Sequence, residues 1–392
     1  MNYILYDGAF RNALLPFTYT RPVADIRIGI LTIREKWEYF LRLTTTTLTE
    51  EYLEEKYPIL EMENNIFINA GYIPNKSFFN AVKKLQKNQA VICNDEMIAF
   101  YSHKEQEEID FSTYEIVEVE GVKAIEYKWD LFLHNDYAIR EDYKQITKDS
   151  FSAEIPKWVQ AINKNQIFIE EGAVLNPCIL NASQGPIYIG KDAVVLDGAM
   201  IRGPFSLGEK SIVKMGSKIY GATTIGPNCK VGGEVKNSIM FANSNKGHEG
   251  YLGNSVVGEW CNFGADSNVS NLKNTYSNVS VWCYENEIYQ KTKQLYCGLI
   301  MGDHSKTSIN TMFNTGTVVG VSAHIFSFNI PEKFIPSFSW IGNKTNDVYN
   351  FKKAVRTAKR MMALSSQEIS EQDISILEHV YQLTKKYRNI HE

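Results

Sequence analysis

The segment NSNKGHEGYLG, residues 243–253, places His248 among glycines and small polar residues. Imidazole is the side chain best suited near neutral pH to take a proton from an amine. Acyl transfer to an amine needs such a base, together with donors for the developing oxyanion. The same setting suits an ordinary exposed histidine, and the residues alone leave both readings open. A different chemistry would use histidines jointly: His248, His304 and His324 could hold zinc, which requires a tight cluster with an open coordination position. Their separations of 56 and 20 residues disfavour that reading. Towards the N-terminus, Asp7, Arg11, Arg21 and Asp25 lie in and after the segment DGAFRNA. They could approach a phosphate or simply pair at the surface. Phosphate loops use several glycines so that backbone N–H groups can come close, and this segment has only Gly8.

The elements that position His248 follow from an unusual period. Ile189, Val195, Ile201, Leu207, Val213, Ile219, Ile225 and Val231 recur every six residues. Gly190, Gly208, Gly226 and Gly232 directly follow four of them, and Ala193, Ala199, Ser211, Ser217, Thr223 and Cys229 fall four places after an anchor. Neither a helix nor an ordinary strand has this period. A hexapeptide β-helix does, with one hexad for each of three flat faces, the aliphatic residue inside and the small one at the corner. Ile169 and Leu175 are the first anchors, and an insertion near Ser183 and Gln184 precedes the clean run. The pattern breaks after Val235 into an apparent loop over residues 241–251, which carries His248. It resumes at Leu252, Val257, Phe263 and Val269, leaves again over about 271–297, and returns at Met301, Thr307, Phe313, Val319 and Ile325. Excursions from a solenoid project from one edge and commonly carry function.

Residues 1–155 alternate between strand and helix signals and read as an α/β domain. Strands are expected at 3–6 and 65–71, a hairpin at 90–101, and helices at 30–43, after a Ser77 cap, and at 129–140. The stretch from 105 to 127 is acidic and less regular. The β-helix is expected over 160–345 and C-terminal helices over 346–392, the second opened by Ser370 and Asp373 as a capping box. Arg356, Lys359 and Arg360 make the first of these helices basic, either as a solvated face or as a contact to cofactor phosphates.

The net charge of −4 excludes general electrostatic attraction to nucleic acid. No apolar run approaches the ~20 residues of a membrane span. The six cysteines show no zinc spacing and read as reduced, packed thiols. The start MNYILYDGAF is too short and too soon acidic for a signal peptide, which points to a cytoplasmic protein.

Two sets of residues carry a resemblance. Glu234-Val235-Lys236, Gly247-His248-Glu249-Gly250-Tyr251-Leu252-Gly253, Asn262-Phe263-Gly264-Ala265 and Ser270-Asn271-Leu272-Lys273 resemble, in type and spacing, the acetyltransferase half of the bifunctional GlmU-type enzymes. Those enzymes make UDP-N-acetylglucosamine. The segment LLPFTYTRP, residues 14–22, resembles part of the opening signature of sugar-1-phosphate nucleotidyltransferases. It departs from that signature in its single glycine, in Val23 where a lysine is expected, and in Asn69-Ala70-Gly71 where a glycine-aspartate usually holds magnesium. The combination of LLPFTYTRPVADIRIGILTIREKWE, GGEVKNS, SNKGH, SNLKN and GDHSKT most resembles an alternative, Bacteroidetes-type version of the bifunctional family.

The resemblance implies a nucleotidyltransferase-like α/β domain, a left-handed parallel β-helix and a homotrimer. It implies His248 as general base on a 2-amino group, Lys236, Tyr251, Asn262 and Lys273 on the sugar phosphate, and Ala265 lining the acetyl-CoA channel. Asp7, Arg11 and Arg21 would face a nucleotide. Acetyl-CoA would be the co-substrate, with UTP and Mg2+ as further partners. Where the family has an arginine one coil before the lysine, this chain has Tyr220, so Arg202, Lys214 or Lys218 would have to grip the phosphate. The expected function is N-acetylation of glucosamine-1-phosphate, coupled or not to uridylyl transfer. The alternatives are nucleotidyl transfer alone, with a glucose- or mannose-1-phosphate type of substrate, and a non-catalytic sugar-nucleotide-binding subunit.

Overall fold

The computed structural model describes residues 1–103, 110–342 and 346–388, so part of the acidic stretch expected over 105–127 lies outside the described residues. The chain divides into two compact units. Met1–Ile26 with Leu31–Tyr127 form one, and Arg27–Ile30 with Lys128–Glu392 form the other.

The first unit is a mixed sheet with helices. Asn2–Tyr6 lies parallel to Thr46–Leu48 on one side and Asn64–Asn69 on the other. Glu96–His103 then pairs antiparallel with Asn64–Asn69, and Gln89–Cys93 completes the expected hairpin. Ile4, Leu5, Ile66 and Ile68 are fully buried between the layers. The helix Ile33–Leu41 starts at Thr32, whose hydroxyl accepts from Glu35 N while the Glu35 carboxylate accepts from Thr32 N. The helix Lys76–Lys84 is capped by Asn75 and not by Ser77, because the Asn75 side chain accepts from Phe78 N. The cap therefore lies two residues earlier than expected, and Ser77 is helical.

In the second unit the helix Asp130–Thr147 precedes a parallel β-helix, as the hexads foretell. One face runs over nine strands from Ile167–Ile169 to Phe334–Ile335, with Ile189, Leu207 and Ile225 in register in successive coils. A second face stacks Val195, Val213 and Val231, and a third stacks Leu180, Ile201, Ile219, Val235 and Leu252. These anchors form one continuous buried core. Corners are made by residues in the left-handed region, in columns such as Gly198 and Gly216, or Lys210, Asn228 and Asn243. Gly226 answers to a different demand: a Cβ there would sit 1.5 Å from the Phe241 carbonyl oxygen of the next coil.

The apparent loop at 241–251 is not an excursion. Ile239–Met240, Asn245–Lys246 and Tyr251–Gly253 continue all three faces through it. The coil is shortened at two corners, and Lys246 takes an anchor slot, which is what hid the pattern. The second excursion is real and carries the antiparallel hairpin Ser280–Cys283 with Ile288–Lys291. The coils also run past Pro336, since Ser339–Ile341 pairs with His324–Ile325. The C-terminal helices Phe351–Ala363 and Glu371–Leu383 follow, the latter with the Ser370–Asp373 capping box.

Candidate functional site

His248 lies on the corner between the second and third faces, between Asn245–Lys246 and Tyr251–Gly253. Its side chain is exposed. Three glycines make that corner tight. A Cβ at Gly233 would lie 2.9 Å from the His248 carbonyl, one at Gly232 2.6 Å from the Gly247 carbonyl, and one at Gly250 2.2 Å from the Ser267 carbonyl. From the next coil, Asp266 N donates to Glu249 O at 3.1 Å, which stacks Ala265 over His248 in the corner column.

The third face presents the other candidates. Register places Tyr220 beside Lys236, and Glu234 beside Tyr251, on its outer side. The Tyr220 hydroxyl donates to Glu234 at 2.6 Å, and this bond pushes the phenol up to about 12. Lys236 Nζ lies 5.7 Å from the Tyr220 ring and 5.7 Å from the Tyr296 ring, so two aromatic faces hold its ammonium. Tyr251 OH accepts from Asn271 Nδ2 at 3.1 Å, and the same amide donates to Asn254 at 2.8 Å. Burial raises the Tyr251 pKa. On the second face Asn262 accepts from the Asn245 amide at 2.8 Å. His248, Ala265, Asn262, Tyr251 and Lys236 thus share one corner and its two adjoining faces. Lys273 lies in the excursion beyond, its ammonium donating to Asn278 O at 2.7 Å.

Of the residues considered in place of the family arginine, Arg202 is in the Tyr220–Lys236 row, two coils before Lys236. It lines an open hollow of about 400 Å³ with Asn181, Met200, Lys218 and Tyr220. Lys218 is in the neighbouring row, its ammonium 4.0 Å from Glu249 on the His248 turn. His304 is on another corner and His324 on the outer side of the second face, so the three histidines do not converge.

In the N-terminal unit the candidates form a structural network. Asp7 accepts from Val23 N at 2.7 Å, from the Thr49 hydroxyl at 2.6 Å and from Arg11 Nε at 2.9 Å. Arg11 also donates to Thr18 O at 2.6 Å and the Tyr52 hydroxyl at 3.0 Å. Both are buried, and burial raises the Asp7 pKa. Arg34 grips Asp25 with two bonds, at 2.9 and 2.8 Å. Arg21 is buried. The Asn69 amide oxygen accepts from Gly71 N at 2.9 Å and crowds Gly8. With one carboxylate spent on the loop and a neutral amide in the other position, Asp7 and Asn69 do not fit a magnesium ion.

Sequence reading missed Lys246, the Asn245–Asn262 bond and Tyr296 over Lys236. Lys246 alone left a signal, since Met240, Lys246 and Leu252 keep the spacing of six.

Comparison with known proteins now adds to this geometry. Residues 3–150 match the profile of the sugar nucleotidyl transferase family. A bifunctional protein GlmU of Methanocaldococcus jannaschii is 33% identical over 108 residues, which cover 28% of this chain and 26% of that protein. A bifunctional sugar-1-phosphate nucleotidylyltransferase/acetyltransferase of Sulfurisphaera tokodaii is 34% identical over 145 residues, 36% of each chain. The chain therefore spans about a third or less of these curated bifunctional relatives. The uncharacterized acetyltransferase YaiX of Escherichia coli O6:K15:H31 is 32% identical over 166 residues, covering 42% of this chain and 71% of that protein. The chain belongs to the acetyltransferase family of YaiX. The segment matched to sugar nucleotidyl transferases takes in the Asp7–Arg11 network. Among the described residues no helix is long and apolar enough to cross a membrane.

Proposed function

We propose that this GlmU-like protein transfers the acetyl group of acetyl-CoA to the 2-amino group of glucosamine-1-phosphate. The observation that carries the reading is the stacking of His248 and Ala265 at one corner of the β-helix, with Asn262 and Tyr251 and Lys236 on its two adjoining faces. His248 is exposed there, on a turn fixed by neighbouring coils. His248 takes a proton from the amino group, whose nitrogen attacks the thioester carbonyl carbon. The C–S bond then breaks and the thiolate leaves, taking up the proton as free CoA. Lys236, held between Tyr220 and Tyr296, and Tyr251, held by Asn271, bind the sugar phosphate. Asn262 holds the sugar, and Lys273 contributes from the excursion. Lys218 or Arg202 supplies the second phosphate-binding cation. Ala265 leaves room for the pantetheine arm above the base. The site is completed between subunits of a trimer, which a sedimentation mass of three chains would verify. Its six cysteines, all free and buried, suit a reducing cytoplasm.

His248→Ala tests the reading. It should lower amino-sugar-dependent CoA release by roughly two to four orders of magnitude with melting unchanged. An unaltered rate removes His248 from the chemistry.

A second reading, uridylyl transfer from UTP, is favoured by the family match over residues 3–150. The Asp7–Arg11 network and Asn69 argue for a domain that binds sugar nucleotides without that step. Pyrophosphate release from UTP with magnesium decides between the two.

A further inference from the structure

Lys246 fills a slot that is apolar in the neighbouring coils. Below it in the same inward-facing row stand Leu175, Val195, Val213 and Val231, and Phe263 follows above. It is only 2% exposed. A leucine there would serve the core better, because burying an ammonium costs several kcal/mol unless its protons are satisfied. They are satisfied by three backbone carbonyls. Lys246 Nζ donates to Gly232 O at 2.9 Å, His248 O at 2.8 Å and Glu249 O at 3.4 Å. Two of these carbonyls belong to the turn that presents His248 and the third to the corner of the coil beneath. The His248 imidazole, by contrast, makes no hydrogen bond to any described residue. Its placement is therefore delegated to its backbone, held by Lys246 from inside and by Asp266 from above, with Gly233 leaving room for it below.

We infer that Lys246 is a positioning residue for His248, an internal clamp that sets where the base stands on the β-helix corner. The inference rests on the acetyl-transfer reading and deepens it. It also gives a reason for the shortened coil: Met240, Lys246 and Leu252 keep the hexad spacing while the corners shrink, which brings the lysine under the turn.

The test is a double-mutant cycle on the full chain, with glucosamine-1-phosphate and acetyl-CoA as substrates. Lys246→Met keeps the stem and removes the donor, and Lys246→Leu serves if the methionine variant does not fold. Loss of the clamp should lower kcat by roughly 10–100-fold, the scale of an ångström's misplacement of a catalytic group, with both KM values within about threefold. In a His248→Ala background the same substitution should cost less than about twofold, because the group it positions is gone. A kcat unchanged by Lys246→Met, or the same loss on top of His248→Ala, overturns the positioning role. If His248→Ala is fully active, or the wild-type chain releases no CoA, the acetyl-transfer reading fails and takes the inference with it. A slow His248→Ala beside a normal Lys246→Met overturns the inference alone.

Discussion

Lys246 gives the structure a measurable pH signature. Burial pushes its ammonium down to about 8, against 10.5 for an ordinary lysine. Between those values the unfolded chain holds the proton and the folded chain releases it. Stability must therefore rise with pH through that window. Each pH unit of separation is worth about 1.4 kcal/mol, so the full window is worth roughly 3 kcal/mol. The carbonyls of Gly232, His248 and Glu249 favour the ammonium and oppose burial, which makes that figure a ceiling. Other groups titrate nearby. Burial raises Cys229 and Cys261 to about 12, which lowers stability as pH climbs past the thiol range of the unfolded chain. Comparison with Lys246→Met cancels those contributions. Urea unfolding of both proteins at pH 7 and pH 10 should show wild type gaining about 1–3 kcal/mol on the variant. A stability difference that does not move with pH would refute a buried, titrating ammonium.

Other substitutions test neighbouring parts of the account. Gly226→Ala places a methyl 1.5 Å from the Phe241 carbonyl and should cost more than about 4 kcal/mol or prevent folding, as read by the urea midpoint. Gly216→Ala meets no atom within 4 Å and carries only the backbone cost of its φ of +66°, about 1 kcal/mol in the same assay. Asp7→Asn removes the nearer and more buried of the two carboxylates paired with Arg11, Glu50 being the other, and should destabilise the N-terminal unit by about 2–4 kcal/mol in thermal melts. A variant as stable as wild type would return Asp7 to the pool of free ligand-binding groups.

The β-helix was legible because its period belongs to no other common element and because an aliphatic anchor looks alike in every coil. Legibility stopped at Val235 for a physical reason: successive corners lose residues, so Met240, Lys246 and Leu252 resume the period out of phase and with a charge in the middle. Of the candidates identified by motif, His248 and Ala265 stack at one corner and Asn262, Tyr251 and Lys236 lie on its two adjoining faces, since stacking converts a spacing of one coil into adjacency, whereas Lys273 lies in the excursion. Tyr296 over Lys236 was illegible, because it returns from an excursion whose path no periodicity encodes. At the N-terminus the residue types suggested a ligand site, whereas Asp7 and Arg11 face each other because the loop folds back over them. The cap lies at Asn75 and not Ser77, since both residue types can cap and it is the Asn75 side chain that accepts from Phe78 N.

The most direct test of the central claim is release of CoA from acetyl-CoA by the purified chain, with and without glucosamine-1-phosphate. The account predicts release that requires the amino sugar and falls by at least about a hundredfold in His248→Ala. Release that ignores the amino sugar, or that survives loss of His248, would contradict it.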